Sequence, residues 1–161
     1  LVPAIANLLG EVMPLPLVVS LRAPDDALRD ELIPINSLWK VGVLRDAARA
    51  YFLTTGRRVS IEYALIKDMN DQEWRAQLLA DELNKRGHGW VHVNPIPLNP
   101  TPGSIWTAST KHAQDAFVKR LRDNGIATSI RDTRGSDIDG ACGQLATAVA
   151  DGKRPVGEAR A

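Results

Sequence analysis

The 161 residues, 44% hydrophobic and 24% charged, have the make-up of an ordinary globular protein with room for one domain and its core. The 20 basic and 19 acidic side chains nearly cancel, which excludes a whole-chain field strong enough to draw the protein to RNA, DNA or an anionic membrane, so a nucleic-acid partner must be argued from a site. A single cysteine excludes an internal disulfide and an all-cysteine metal site built from this chain alone, and no apolar stretch reaches the roughly 20 residues of a membrane span or follows a basic segment as in a secretory signal, so a cytoplasmic location is the default.

In chain order, Ile5 to Leu9 closes a helical piece stopped by Gly10, and Leu15 to Arg22 reads as a buried strand because it is short, apolar and rich in branched residues. Val43, Leu44, Ala47, Ala48 and Tyr51 form an apolar helical stripe that Gly56 terminates. Val59 to Ile66 is the second strand. Asp71 to Arg86 is helical again, with Asp71 as N-cap, Trp74 and Leu78 four apart on one face, and Gly87 as the stop. Val91 to Ile96 is the third strand; a Pro-rich loop, Pro95 to Pro102, leads to a helix over Thr110 to Asn124, stopped by Gly125, and Ile126 to Arg131 is the fourth strand. A last helix starts near Asp137 and fades before Gly152.

Strand and helix alternate with connections long enough for crossovers, so the expected class is α/β, parallel strands with outer helices. The expected domain is 1–150, with 151–161, polar and holding Gly152, Pro155 and Gly157, as a disordered tail. A closed barrel takes about eight strands and about 250 residues, and this chain opens on Leu1 mid-pattern, so a fragment of something larger is expected.

In parallel α/β sheets, sites gather at the carboxyl ends of strands, which singles out a few polar residues. Ser20 and Arg22 share one face of the first strand by its period of two, and either suits a cofactor carboxylate or ribose; alternatively Ser20 bonds nearby backbone and Arg22 pairs with Asp25 or Asp26. Asn99, between Pro97 and Pro100, offers an amide that donates and accepts, or is a turn-forming asparagine. Glu62 and Ser60 point to the inner side of the sheet, where a salt bridge from Glu62 to Arg58 is the simpler reading than catalysis. Cys142 lies between Gly140 and Gly143, which let another molecule approach the sulfur, and follows Asp137 and Asp139; a lone cysteine is also a common inert core residue. His88, His92 and His112 lack the spacing of a metal set. Arg131, Arg134, Arg120 and Arg122 suit a basic rim for a phosphate backbone, although a solvated helix surface accounts for the last two equally well.

The segment Arg131-Asp132-Thr133-Arg134-Gly135-Ser136-Asp137-Ile138-Asp139-Gly140-Ala141-Cys142-Gly143-Gln144-Leu145-Ala146 is similar to the C-terminal signature of RlmN-type RNA methyltransferases in their actinobacterial form. The likeness extends through Asn94 to Gly103, Val59 to Leu65, Ser20 to Asp26, Leu28-Arg29-Asp30 and Pro34-Ile35-Asn36, nearly the whole chain to Ala150. The resemblance implies the C-terminal half of a radical-SAM partial (β/α) barrel, with S-adenosylmethionine and a [4Fe-4S] cluster as cofactors, that methylates carbon 2 of adenine in 23S rRNA and tRNA. In that family a cysteine at the position of Cys142 becomes an S-methylcysteine intermediate, a second S-adenosylmethionine is cleaved to a radical that takes hydrogen from the S-methyl group, the carbon radical adds to adenine, and a second cysteine resolves the adduct. Ser20, Leu21, Arg22 and Asn99 match positions that bind S-adenosylmethionine, with arginine at 22 where the family usually has histidine. The resemblance also implies an electron donor such as flavodoxin or ferredoxin and no membrane. The CxxxCxxC cluster ligands, a Gly-Glu cofactor motif, a base glutamate and the resolving cysteine would all lie ahead of Leu1, so the chain by itself is expected to be inactive. Two alternatives stand beside this: a Cfr-type enzyme methylating carbon 8 of the ribosomal adenine, and a non-catalytic RNA-binding remnant.

Overall fold

The computed structural model describes residues 2–8, 15–99 and 104–130. Four strands, β1 (Val18–Ser20), β2 (Val59–Leu65), β3 (Val91–Pro97) and β4 (Ala127–Thr128), pair in parallel in the order β1-β2-β3-β4. A short α1 (Val2–Leu8) comes before them; α2 (Asp26–Leu32), a 3-10 turn (Pro34–Ser37) and α3 (Val41–Thr55) join β1 to β2, α4 (Glu73–Asn84) joins β2 to β3, and α5 (Lys111–Asp123) joins β3 to β4. The expected α/β class with outer helices is what the structure has.

The two faces of the sheet follow from the period of two along each strand. Val59, Ile61, Tyr63 and Leu65 of β2 and Val91 and Val93 of β3 are buried, while Ser60, Glu62, His92 and Asn94 between them are half-buried. The buried set packs against Val41, Leu44, Ala48 and Tyr51 of α3, Ala76, Leu79, Ala80 and Leu83 of α4, and Phe117 and Leu121 of α5, in one continuous core. Tyr63 and Phe117 meet with ring centroids 5.1 Å apart, and the indole of Trp90, 1% exposed, donates to the Leu83 carbonyl at 3.1 Å. Burial in this core pushes the Tyr63 phenol above its ordinary range. The described helices therefore cover one face, and the other is left as a concave surface.

Local chemistry sets the helix ends. Asp25 caps α2 by accepting from the Leu28 N–H at 2.9 Å, and Thr110 caps α5 by accepting from Ala113 N–H at 3.2 Å. Gly56 ends α3 in a left-handed conformation, φ 69°, its N–H donating to Phe52 O at 2.8 Å.

Several sequence expectations are corrected. Asp71 does not cap α4: the capping position is Gln72, with no side-chain bond, and Asp71 instead accepts from the Asp68 N–H at 3.0 Å and the Ser109 hydroxyl at 2.6 Å. Trp74 and Leu78 do share a face, but it is the solvent face, 54% and 41% exposed, because the small Ala76 and Ala80 let the other side of α4 approach the sheet closely. Val43 likewise points outward, 49% exposed. The first strand is only three residues long, since the chain turns left-handed at Arg22, φ 62°. The helix α2 was not among the expected elements; its Leu28 and Leu32, four apart, pack with Ala23 and Ile66 in a small second cluster. The last expected helix and the tail lie outside the described residues.

Candidate functional site

The concave face carries a depression of about 800 Å³ lined by Val18, Ser20, Glu62, Asn94, Ile96 and Ser129, within the size range of small-molecule sites. Register builds it: Ser20 pairs with Glu62, and Glu62 with Asn94, so a hydroxyl, a carboxylate and an amide form one row across three strands. A second depression lies on the helix side, between α3, α4 and the Pro24–Asp26 turn.

The row is joined by directed hydrogen bonds. Asn94 Nδ2 donates to Glu62 Oε1 at 3.2 Å, and the Ser129 hydroxyl donates to Asn94 Oδ1 at 2.9 Å. His92 Nε2 lies 2.7 Å from the same hydroxyl oxygen. A hydroxyl with its one proton given to Asn94 must accept from the imidazole, so His92 carries a proton on Nε2 in this arrangement. The polarity runs from His92 through Ser129 and Asn94 to Glu62, each group donating toward the carboxylate. The Glu62–Arg58 salt bridge expected from sequence is not formed: among the described residues no ion pair joins the two, and Asn94 is the partner that the sheet brings to Glu62.

The segment leaving β1 is held more firmly than its loop character suggests. Leu21 donates its N–H to Glu62 O at 3.0 Å, and its carbonyl accepts from Ala23 N–H at 2.9 Å and from Arg29 Nε at 3.1 Å, so its backbone anchors the strand end while its side chain is buried. Arg29 is 1% exposed; it also donates to Trp39 O at 2.8 Å and to Asn36 Oδ1. Desolvation lowers the pKa of its guanidinium, against the raising influence of Asp26 and Asp30. Asn36, wholly buried, completes the net by donating to Asp30 Oδ1 at 2.6 Å. Next comes Arg22, whose side chain is exposed and whose left-handed backbone costs a non-glycine residue about 1–3 kcal/mol. The alternative in which Arg22 pairs with Asp25 or Asp26 is not what the structure has. Asp25 ion-pairs with Arg75 at 2.7 Å and caps α2, and Asp26 accepts from Val41 N–H at 2.9 Å.

Of the residues singled out from sequence, Ser20 lines the depression directly. Arg22 and Asn99 each stand two residues beyond the last residue of a strand, β1 and β3 respectively, at the carboxyl ends where ligands of such sheets bind, and neither lines the depression itself. Asn99 is half-buried, and the preceding Leu98 N–H is tied to Leu65 O at 3.2 Å. Cys142, Arg131 and Arg134 lie outside the described residues. Arg120 donates to Glu73 at 2.9 Å, bridging α5 to α4, and Arg122 donates to Thr128 O at 2.8 Å. Asn94, His92 and Ser129 were missed as site residues, although the alternation that turned Glu62 inward predicts the same for positions 92 and 94. The role of Asn36 leaves no such trace in the sequence.

Among the described residues no helix is long and apolar enough to cross a membrane. No family model matches the chain. Similar curated proteins do. The chain is 69% identical over 147 residues to the probable dual-specificity RNA methyltransferase RlmN of Kocuria rhizophila, covering 91% of this chain and 38% of that protein. It is 68% identical over 146 residues to the protein of the same name in Kineococcus radiotolerans, covering 91% and 37%. The chain thus spans well under half the length of these relatives. Among solved structures, a radical SAM methyltransferase from Sphaerobacter thermophilus superposes with a TM-score of 0.84 at 43% identity, over 89% of this chain and 41% of that one. A domain of a pyruvate-formate lyase-activating enzyme from Bacteroides vulgatus, TM-score 0.62 at 17% identity, shares the fold. Over the segment that it spans, this chain is similar to the RlmN-type radical-SAM methyltransferases.

Proposed function

We propose that this chain supplies one wall of the catalytic chamber of an enzyme that methylates carbon 2 of adenine in 23S rRNA and tRNA, with S-adenosylmethionine seated against the carboxyl ends of β1 to β3. The observation that carries the reading is the identity to RlmN proteins over 91% of the chain, joined to the Ser20–Glu62–Asn94 row on the face that the helices leave open.

The residues present suit a nucleoside-bearing amino acid: the row offers a hydroxyl, an acceptor carboxylate and an amide in a depression of about 800 Å³. Ser20, the Leu21–Arg22 backbone and Asn99 would hold that cofactor, which when bound supplies the methyl group and the radical precursor. Ser20 and Asn99 orient it, while the Leu21 anchor keeps the strand end from moving. Cys142 is the methyl carrier: its thiolate takes the methyl and becomes a thioether, the form from which a carbon is handed to adenine. The one cysteine of the chain does not provide the set of thiolates that a [4Fe-4S] cluster takes. An external electron donor, flavodoxin or ferredoxin, and a cytoplasmic setting go with this reading.

The test is to place the chain in the corresponding position of the Kocuria rhizophila relative and express the full-length hybrid in a bacterium lacking its own enzyme. Nucleosides from 23S rRNA and tRNA are then resolved by mass spectrometry. 2-Methyladenosine in both is the expected result, with Cys142→Ala abolishing it. 8-Methyladenosine would give the carbon-8 alternative, and no methyladenosine the non-catalytic one.

A further inference from the structure

Two non-glycine residues are left-handed among the described residues, Arg22 (φ 62°) just past β1 and Asp68 (φ 59°) just past β2. A side chain disfavours that conformation, so each turn persists only where its surroundings fix it. The adjacent residues Asn70 and Asp71 do so, one each. Asp71 takes the Asp68 N–H at 3.0 Å and is itself braced by the Ser109 hydroxyl at 2.6 Å. Asn70, with no exposed surface, donates through Nδ2 to Arg22 O at 2.8 Å and Ala64 O at 2.7 Å, and accepts at Oδ1 from Ile66 N–H at 2.7 Å. Its own carbonyl accepts from the Tyr63 hydroxyl at 3.1 Å.

We propose that Asn70 is a positioning residue for the cofactor: by joining Arg22 O to Ala64 O it locks the exit of β1 against the end of β2 and holds the Ser20–Arg22 segment in its binding form before any ligand arrives. This rests on the reading of that segment as an S-adenosylmethionine contact. An amide is required because the site needs two donors and an acceptor from one short side chain, which aspartate, serine or leucine does not supply. Without the clamp, Arg22 relaxes to an ordinary backbone conformation, and only part of the population presents the segment correctly. Apparent affinity falls by that fraction.

The experiment compares Asn70→Ala with Val93→Ala, a core truncation elsewhere in the sheet, in the full-length hybrid described above; Asn70→Ser serves if the alanine variant does not fold. Asn70→Ala is expected to raise the KM for S-adenosylmethionine about tenfold, as for a segment in its binding form a tenth of the time, and to leave the KM for RNA unchanged. Val93→Ala should move neither. A KM for S-adenosylmethionine equal to that of Val93→Ala overturns the proposal. Amide hydrogen exchange of the 161-residue chain reads the clamp without activity: Ala23 N–H, bonded to Leu21 O, should exchange faster in the Asn70 variant and not in Val93→Ala. If the parent hybrid makes no methyladenosine the function reading fails, and the exchange result still decides whether Asn70 holds the turn; unchanged exchange overturns it.

Discussion

The two faces of β2 and β3 are built from the same seven-residue strands and do opposite work. On the helix side, Val59, Ile61, Tyr63, Leu65, Val91 and Val93 are at most 3% exposed and touch apolar neighbours on three helices. On the open side, Glu62, Asn94 and His92 are half-buried and linked by side-chain hydrogen bonds that run through Ser129. Shape and apolar area specify the first face, so a residue there is defined by its volume. The second is specified by donor and acceptor direction, so a residue there is defined by its functional group. Apolar packing and directed polar contacts are thus separated by a single step along the strand.

That separation is open to test by substitution, starting with the largest effect. Phe117→Ala removes the ring that meets Tyr63 and should cost about 3–5 kcal/mol, read as a lower urea midpoint with the slope unchanged. Arg29→Met keeps the volume but strands the Leu21, Trp39 and Asn36 acceptors, for a loss of about 2–3 kcal/mol in the same assay; a neutral result would mean that the buried guanidinium contributes nothing net. Glu62→Gln on the open face keeps an acceptor for Asn94 and should cost about 1 kcal/mol or less while weakening S-adenosylmethionine binding in the full-length hybrid. A large loss of stability there would erase the distinction between the faces. The smallest effect is that of acid on the outer surface. Lys40 above all, with Asn36, holds the Asp30 carboxyl below its ordinary range, and Arg86 does the same for Asp46. The folded state therefore binds those protons less readily than the unfolded chain, so the contribution is complete above the ordinary carboxylate range and fades as pH falls through the lowered values. Asp30→Asn should lower the melting temperature slightly at neutral pH and leave it nearly unchanged in acid, so that the fall between the two shrinks.

Strand number, order of elements and the outward helices were legible because each rests on periodicity, and the two strand faces differ so sharply that Glu62 could be turned inward from sequence alone. The failures share a cause. Trp74 and Leu78 share a face as their spacing indicates, but spacing does not say which face meets the sheet: close approach of α4 favours alanine, and the alanines at 76 and 80 carry that side. Asp71 has the chemistry of a cap and the spacing of one, but the left-handed turn at Asp68 and the Ser109 hydroxyl compete for its oxygens. Asn36, Asn70 and Arg29 are polar residues wholly or almost wholly buried, which no pattern of apolar spacing reveals. Asn70 and Arg29 find backbone partners brought near by the turns after β1 and β2, and Asn36 joins Arg29 to the Asp30 carboxylate. Of the candidate site, Ser20 was legible through its place at a strand end, whereas Asn94, His92 and Ser129 required the parallel register to bring their strands beside Glu62.

The strand order β1-β2-β3-β4 repeats the order of the chain. Each strand therefore docks on one already made, and no later segment has to be threaded between two earlier ones. During synthesis the described strands can be added one at a time, each with its helix, as the chain emerges from the ribosome, with Ser20 on β1 in place before Glu62 and Asn94 arrive beside it.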